Sequence, residues 1–303
     1  MSTQHNQDLR ELPVLPPKNR RLPIIIDSDA ACEVDDQHAL VLALLAKERF
    51  EIKGFIGAQF GDRAGIEGPE RSAKEIEKIL KLMDLSNHYP VFRGCSCPLP
   101  YRAVPSSSEG VDLILECCRS ATREQPIWIV GLGAATDIAS AYLIDPSIAE
   151  RCIILWHGRT CWPESAWNVN VFRDLKAAQV LFESRLRLIL FDTGTHLICP
   201  MTEAEVRIEP YGNIGKYLVK IRRERDPQFT APDKGIFDLG DIAFLINPDC
   251  AIVEQVDAPT IREDLRYSFE NTHGKILRVA DIDRDAVFRE LYKRLEQCYS
   301  KDI

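Results

Sequence analysis

Three consecutive isoleucines, Ile24-Ile25-Ile26, run directly into five carboxylates within ten residues: Asp27, Asp29, Glu33, Asp35 and Asp36. The β-branched run predicts a buried strand. In an open α/β sheet, ligands gather at the carboxyl ends of the strands. Carboxylates crowded at such an end repel one another unless a cation neutralises them. Oxygen donors at this density suit Ca²⁺ or Mg²⁺ rather than zinc. The alternative is a solvated acidic loop that caps a helix, because aspartate is favoured at helix starts. A strand that runs straight into Asp27-Ser28-Asp29, with Asp35-Asp36 following at a helix start, favours the metal site.

The remaining chain alternates the same two elements. Strands are predicted over 22–27, 52–58, 127–132, 152–156, 186–191 and 275–280. Helices are predicted over 35–47, 69–83, 111–120, 135–144, 175–183, 202–208, 214–225, 240–246 and 283–297. Alternation of this kind implies an α/β fold, an open, largely parallel twisted sheet of Rossmann-like form with helices on both faces. In the segment 69–83 the apolar residues Ile76, Ile79, Leu80 and Met83 recur at helical spacing, which implies packing and nothing more. Residues 1–20, polar and Pro-rich, predict a tail or an arm against a neighbour. No linker or repeat divides residues 21–303, so one domain is expected there. The region after Cys199 is expected to be mostly helical and to lie over the carboxyl edge of the sheet.

Composition narrows the function. A formal net charge of −8 over 303 residues argues against a general nucleic-acid or membrane-surface binder. No apolar run has the length of a membrane span. The ten cysteines show no zinc-site spacing, and the polar start shows no secretory signal. A cytoplasmic protein with reduced thiols is expected.

Further segments carry candidate chemistry. Gly131-Leu132-Gly133-Ala134-Ala135-Thr136 is a small-residue turn between strand and helix, which lets a ligand approach the backbone. The loop from Trp162 to Asn170 holds Trp167, Asn168 and Asn170 and is followed by Asp174; such residues can stack on a ring or hydrogen-bond sugar hydroxyls. Asp192 ends another strand, with His196 behind it as a candidate proton donor. Asp238 and Asp241 precede an apolar helix, and spacing alone leaves them between helix cap and ligand.

Taken in order, these segments resemble the inosine–uridine-type nucleoside hydrolase family. Asp27-Ser28-Asp29 and Asp35-Asp36 resemble the family's opening Asp-x-Asp and closing Asp-Asp, Gly133 to Asp137 its Gly-Pro-Leu-Thr-Asn turn, Asn168-Val169-Asn170 with Asp174 its Glu-Phe-Asn followed by Asp. Phe191-Asp192-Thr193 resembles its Leu-Asp-x-Thr, and Phe237-Asp238 its late His-Asp. The resemblance spans about residues 22 to 295. It implies the nucleoside hydrolase fold and hydrolysis of an N-glycosidic bond to ribose and a free base, with an oxocarbenium-like transition state. It also implies Ca²⁺ held by Asp29, Asp36, Asp238 and the Leu132 carbonyl, and a metal-bound water attacking with Asp29 as general base. Asp35, Asn168, Asn170 and Asp238 are then implied as ribose contacts, with Trp167 at the substrate. The implied partner is a small nucleoside rather than a nucleic acid or a membrane, and a homodimer or homotetramer is the implied assembly.

The sequence also departs from the family. Ala30-Ala31-Cys32-Glu33-Val34 makes the aspartate loop two residues longer, and Glu33 is a candidate extra ligand or supporting group. Asn168 stands where the family has Glu, and a shifted register that matches Trp167-Asn168 to Phe-Asn stays open. Phe237 replaces a His that helps the leaving base in some members. Trp156, Trp162, Trp167, His157 and His196 are the candidates for that help. A ribosyl-binding protein without turnover is the competing reading. A metal phosphohydrolase ranks below both, because the first loop has no basic residue for a phosphate.

Overall fold

The computed structural model describes residues 10–224 and 232–299. In chain order the first half comprises β1 (Leu22–Ser28), α1 (Asp36–Leu45), β2 (Phe50–Gly57), α2 (Gly68–Leu82), β3 (Val91–Arg93), α3 (Glu109–Ser120), β4 (Ile127–Gly131) and α4 (Thr136–Ile144). Then come β5 (Cys152–His157), α5 (Val169–Arg173), α6 (Leu175–Glu183), β6 (Arg187–Phe191), β7 (Ile198–Pro200), α7 (Met201–Arg207) and α8 (Gly212–Glu224). The chain closes with β8 (Asp233–Gly235), α9 (Leu239–Ile246), β9 (Ala251–Asp257), β10 (Thr260–Ile261), β11 (Tyr267–Ser268), β12 (Lys275–Ile282) and α10 (Arg284–Tyr299).

The main sheet has eight strands in the order β3-β2-β1-β4-β5-β6-β12-β9. All pairings are parallel except the last, where β9 runs antiparallel to β12. Period-two alternation divides the core. Ile24, Ile26, Val130, Leu155 and Phe191 face one apolar layer, shared with α1, α8, α9 and α10. Ile25, Ile129, Ile154 and Leu190 face the other, shared with α3, α4 and α6. Strands covered on both faces need continuous apolar sequence, which is why the three isoleucines of β1 are fully buried.

The order reverses at β1, which pairs with β2 on one side and β4 on the other. The carboxyl ends of β1 and β4 therefore flank the crevice where such sheets bind ligands. The expected α/β architecture is thus present. The predicted helix over 175–183 is observed as α6, and α2 buries Ile76, Ile79 and Leu80 as its spacing implies.

In the segment expected as an arm, Arg10 is buried against this chain's own α6, donating to the carbonyls of Leu181 and Phe182 at 2.9 and 2.6 Å, while residues 1–9 lie outside the described residues. One expectation is corrected: the region after Cys199 is not mostly helical. It carries β8, β9, β10 and β11 besides β12. The edge strand β9 is half exposed and lacks a clean alternation, so its sequence, AIVEQVD, gives a weak strand signal.

Arg49 ties three segments together. Its Nη1 donates to the carbonyls of Pro17 and Arg20, each at 2.6 Å, and its Nε to that of Leu245 at 2.8 Å. The side chain is 5% exposed. Replacing it with methionine keeps the stem and leaves those carbonyls unpaired. Arg49→Met is expected to lower stability by about 2–4 kcal/mol. Urea unfolding measures this, and a loss under ~0.5 kcal/mol would show that the segments hold without it.

Candidate active site

β1 delivers its acidic residues to the crevice because its register with β4 puts Asp27 opposite Gly131. Asp29 follows one residue past the strand. Gly133 makes room for it, since a Cβ there would lie 3.0 Å from Asp29 Oδ1. Asp35 and Asp36 arrive from the start of α1, and Asp238 from the start of α9. Ser28 Oγ donates to Asp36 Oδ1 at 2.6 Å and fixes its direction. Carboxylate oxygens of Asp35, Asp36 and Asp238 lie within 4.8 Å of one another, all buried.

Burial pushes all of these acids upward. Asp36 and Asp238 are raised well above the usual carboxylate range, first by burial and then by neighbouring carboxylates. Asp35 is pushed up to about 6 by burial and by Glu33, against the opposing pull of Lys234 and His157. Asp29 is raised by burial, against the opposing pull of Arg173. Asp27 lies beneath, 1% exposed, with neither carboxylate oxygen hydrogen-bonded among the described residues. An all-oxygen cluster whose members resist ionisation is the donor set that a hard divalent cation stabilises. The residues present therefore fit such an ion.

Asp29, Asp35, Asp36, Leu132, Asn168, Asn170 and Asp238 all line one cavity. Asn170 Nδ2 donates to the carbonyls of Leu132 and His157 at 2.7 and 3.1 Å. Asn168 Oδ1 caps α5 by accepting from the Asn170 amide at 2.7 Å. Trp167 stands outside the cavity wall and is 59% exposed.

Other candidates serve the scaffold. Asp192 accepts from Thr160 Oγ1 at 2.7 Å and from Arg278 Nε at 2.6 Å. His196 Nε2 contacts the Ile282 carbonyl at 2.6 Å, away from the cavity wall. Trp156 is fully buried and donates from Nε1 to the Gly133 carbonyl at 3.0 Å. Trp162 packs on Tyr267, with ring centroids 5.0 Å apart. Asp174 caps α6 and accepts from the amides of Ala177 and Leu99 and from Thr136 Oγ1.

The sequence reading missed two residues of the cavity wall, Arg159 and Arg173. Arg173 donates to both Asp29 and Asn170 Oδ1, and it also reaches Cys32 Sγ. Its spacing of three from Asn170 would place both on one helical face, but the five-residue α5 has too little sequence to announce itself. His157 ends β5, and its Nδ1 lies 2.7 Å from Asp241 Oδ2. Asp241, left open above between cap and ligand, is thus the partner of His157. Glu33 accepts from Lys234 Nζ at 2.6 Å.

A largely parallel sheet with a buried carboxylate cluster at its reversal point defines an α/β protein whose crevice could take a small polar ligand and a cation. The sequence profile of the inosine-uridine preferring nucleoside hydrolases matches residues 24–260. The chain belongs to that family, whose members are hydrolases acting on N-glycosyl compounds. Solved structures agree in fold. A purine-preferring ribonucleoside hydrolase from Gardnerella vaginalis superposes with a TM-score of 0.73 at 18% identity, over 91% of this chain and 98% of that one. A plant nucleoside hydrolase gives 0.70 at 16%, over 91% and 99%. An inosine-uridine preferring nucleoside hydrolase from Bacillus anthracis gives 0.64 at 16%, over 92% and 100%. Among curated proteins no sequence matches the chain.

Asp174 separates scaffold from chemistry. It is 2% exposed and accepts three hydrogen bonds from three segments. Asp174→Ala should cost about 2–4 kcal/mol of stability, as loss of a cap and of buried hydrogen bonds. Thermal and urea unfolding read this out; a variant as stable as wild type would remove Asp174 from the scaffold.

Proposed function

We propose that this chain is a Ca²⁺-dependent ribonucleoside N-ribohydrolase, releasing ribose and a free base from a nucleoside or a related ribosyl compound. The observation that carries the reading is the convergence of Asp35, Asp36 and Asp238 within 4.8 Å, with Asp29 on the same cavity wall. Asp29, Asp36, Asp238 and the Leu132 carbonyl would hold the cation. When bound, the cation supplies charge that orients the sugar hydroxyls and acidifies water.

The side chains have separable tasks. Asp35, Asn168, Asn170 and Asp238 bind and orient the ribose, with Trp167 at the rim. Asp29 accepts the proton of the attacking water. One of its oxygens is held by Arg173 and the other faces Gly133, so the carboxylate is fixed in direction. Carboxylates already in place around the sugar favour the positive charge that develops on it, with no reorganisation at the moment of reaction.

Incubation of the purified protein and Ca²⁺ with inosine, adenosine, guanosine, uridine and cytidine, followed by chromatography, tests the reaction. Wild type should release a base from at least one. Asp29→Asn should be slower by roughly 10²–10⁴-fold, the range for a positioned general base. The pairing of Arg173 with Asp29 favours a second reading, a ribosyl-binding protein without turnover. Ribose binding with no base released from any nucleoside would select it.

Cation binding has its own readout. Ca²⁺ at a hundred times its dissociation constant should stabilise the fold by about 2.7 kcal/mol. Asp238→Asn, measured in the same thermal melts, should abolish most of that gain. A calcium-insensitive melting temperature in the wild type would count against the metal site.

A further inference from the structure

The proposed reaction needs a group to receive the departing base. The donors on the cavity wall differ in what they already hold. Arg173 is committed to Asp29 and Cys32. Asn170 donates to the Leu132 and His157 carbonyls, and Asn168 Nδ2 to the Arg159 carbonyl at 3.3 Å. His157 Nδ1 is engaged by Asp241, and its ring stacks on Phe191 with centroids 5.7 Å apart.

Arg159 is the exception. Among the described residues its guanidinium has no hydrogen-bond or ion-pair partner, and its Nε is buried without one. Five carboxylates line the same cavity, yet none pairs with it. Its Cζ instead lies 4.0 Å from the ring centroid of Phe237, the residue directly before Asp238. Stacking of this kind holds a guanidinium plane in one orientation while leaving its N–H groups free.

We propose that Arg159 is a catalytic residue that receives the leaving base, donating hydrogen bonds to a ring nitrogen or carbonyl oxygen of the heterocycle as the glycosidic bond breaks. This rests on the N-ribohydrolase reading. In the step, the water oxygen bonds to C1′ and its proton passes to Asp29. The C1′–N electron pair stays on the base, which leaves as an anion paired with Arg159 and then takes a proton from solvent. A guanidinium stays charged at all working pH values, so it stabilises the anion without giving up a proton. Phe237 acts as the positioning residue.

A substrate phosphate is the other anion a guanidinium could take. The cavity is against it. Five carboxylates face two guanidinia, one of which already holds Asp29, so a dianion would be repelled. A base that gains one charge only in the transition state is helped where help accelerates the reaction.

The test compares wild type, Arg159→Met and Arg159→Lys on the preferred nucleoside, its 5′-monophosphate and para-nitrophenyl β-D-riboside. Nitrophenolate departs without assistance. Arg159→Met should lower kcat on the nucleoside by ~100-fold, as for loss of a charge-stabilising donor, and change the nitrophenyl riboside far less. Arg159→Lys should recover part of the loss. Thermal melts with Ca²⁺ confirm that each variant is folded. Equal losses on nucleoside and nitrophenyl riboside would overturn the inference and leave the hydrolase reading standing. So would a wild-type preference for the monophosphate that only Arg159→Met abolishes. Failure of wild type on all three would overturn the hydrolase reading, and this inference with it.

Discussion

Asp29, Asp35, Asp36 and Asp238 are each no more than 5% exposed, and they are forced together by where β1 ends and where α1 and α9 begin. Taking one ionised carboxylate out of water costs several kcal/mol. A cluster of them is therefore a source of instability that the surrounding fold must offset. It does so with a sheet covered on both faces, whose apolar layers include the three isoleucines of β1 and most of α1. The acidic residues ride on the ends of the most deeply buried elements, so the cluster cannot relax by spreading apart.

Internal cations relieve this only in part. Arg173 takes Asp29 and Lys234 takes Glu33, each from an element remote in sequence. Asp35 and Asp36 receive no such partner at direct contact among the described residues, Asp238 has only His157 Nδ1 at 3.6 Å, a ring that Asp241 holds closer, and burial and mutual repulsion hold all three above the usual carboxylate range. The unbalanced charge is local to the point where the three oxygens converge. That locality, rather than the acidity of the pocket as a whole, is what suits the site to a small hard cation.

Much of this was legible before any coordinates. Continuous apolar sequence in Ile24–Ile26 and Ile153–Leu155 could only be a strand covered on both faces, and the aspartates that follow had to lie at its carboxyl end. What escaped were features set by three-dimensional proximity. The pairing of His157 with Asp241 crosses 84 residues, and that of Arg173 with Asp29 crosses 144. No local spacing encodes either. The helix α5 escaped for another reason: five residues carry hardly more than one turn, and its stability comes from the Asn168 cap and from packing, not from periodicity. Trp156 and Trp162 misled because an aromatic near a loop looks available for stacking, whereas both are spent on the core.

The longer loop between the two aspartate pairs follows from the same constraint. Asp29 is fixed by the register of β1, and Asp35-Asp36 by the start of α1, so the span between them can change length without moving either. Here the extra residues are packed, not loose. Ala30 and Val34 are fully buried, the Cys32 amide donates to the Asp29 carbonyl at 2.8 Å, and Gln37 Nε2 donates to the Ala30 carbonyl at 2.5 Å. Glu33 then reaches across to Lys234 on β8. Of the two roles that sequence alone offered this side chain, ligand or supporting group, the contact with Lys234 matches the second, and the same carboxylates are presented from a loop of different length.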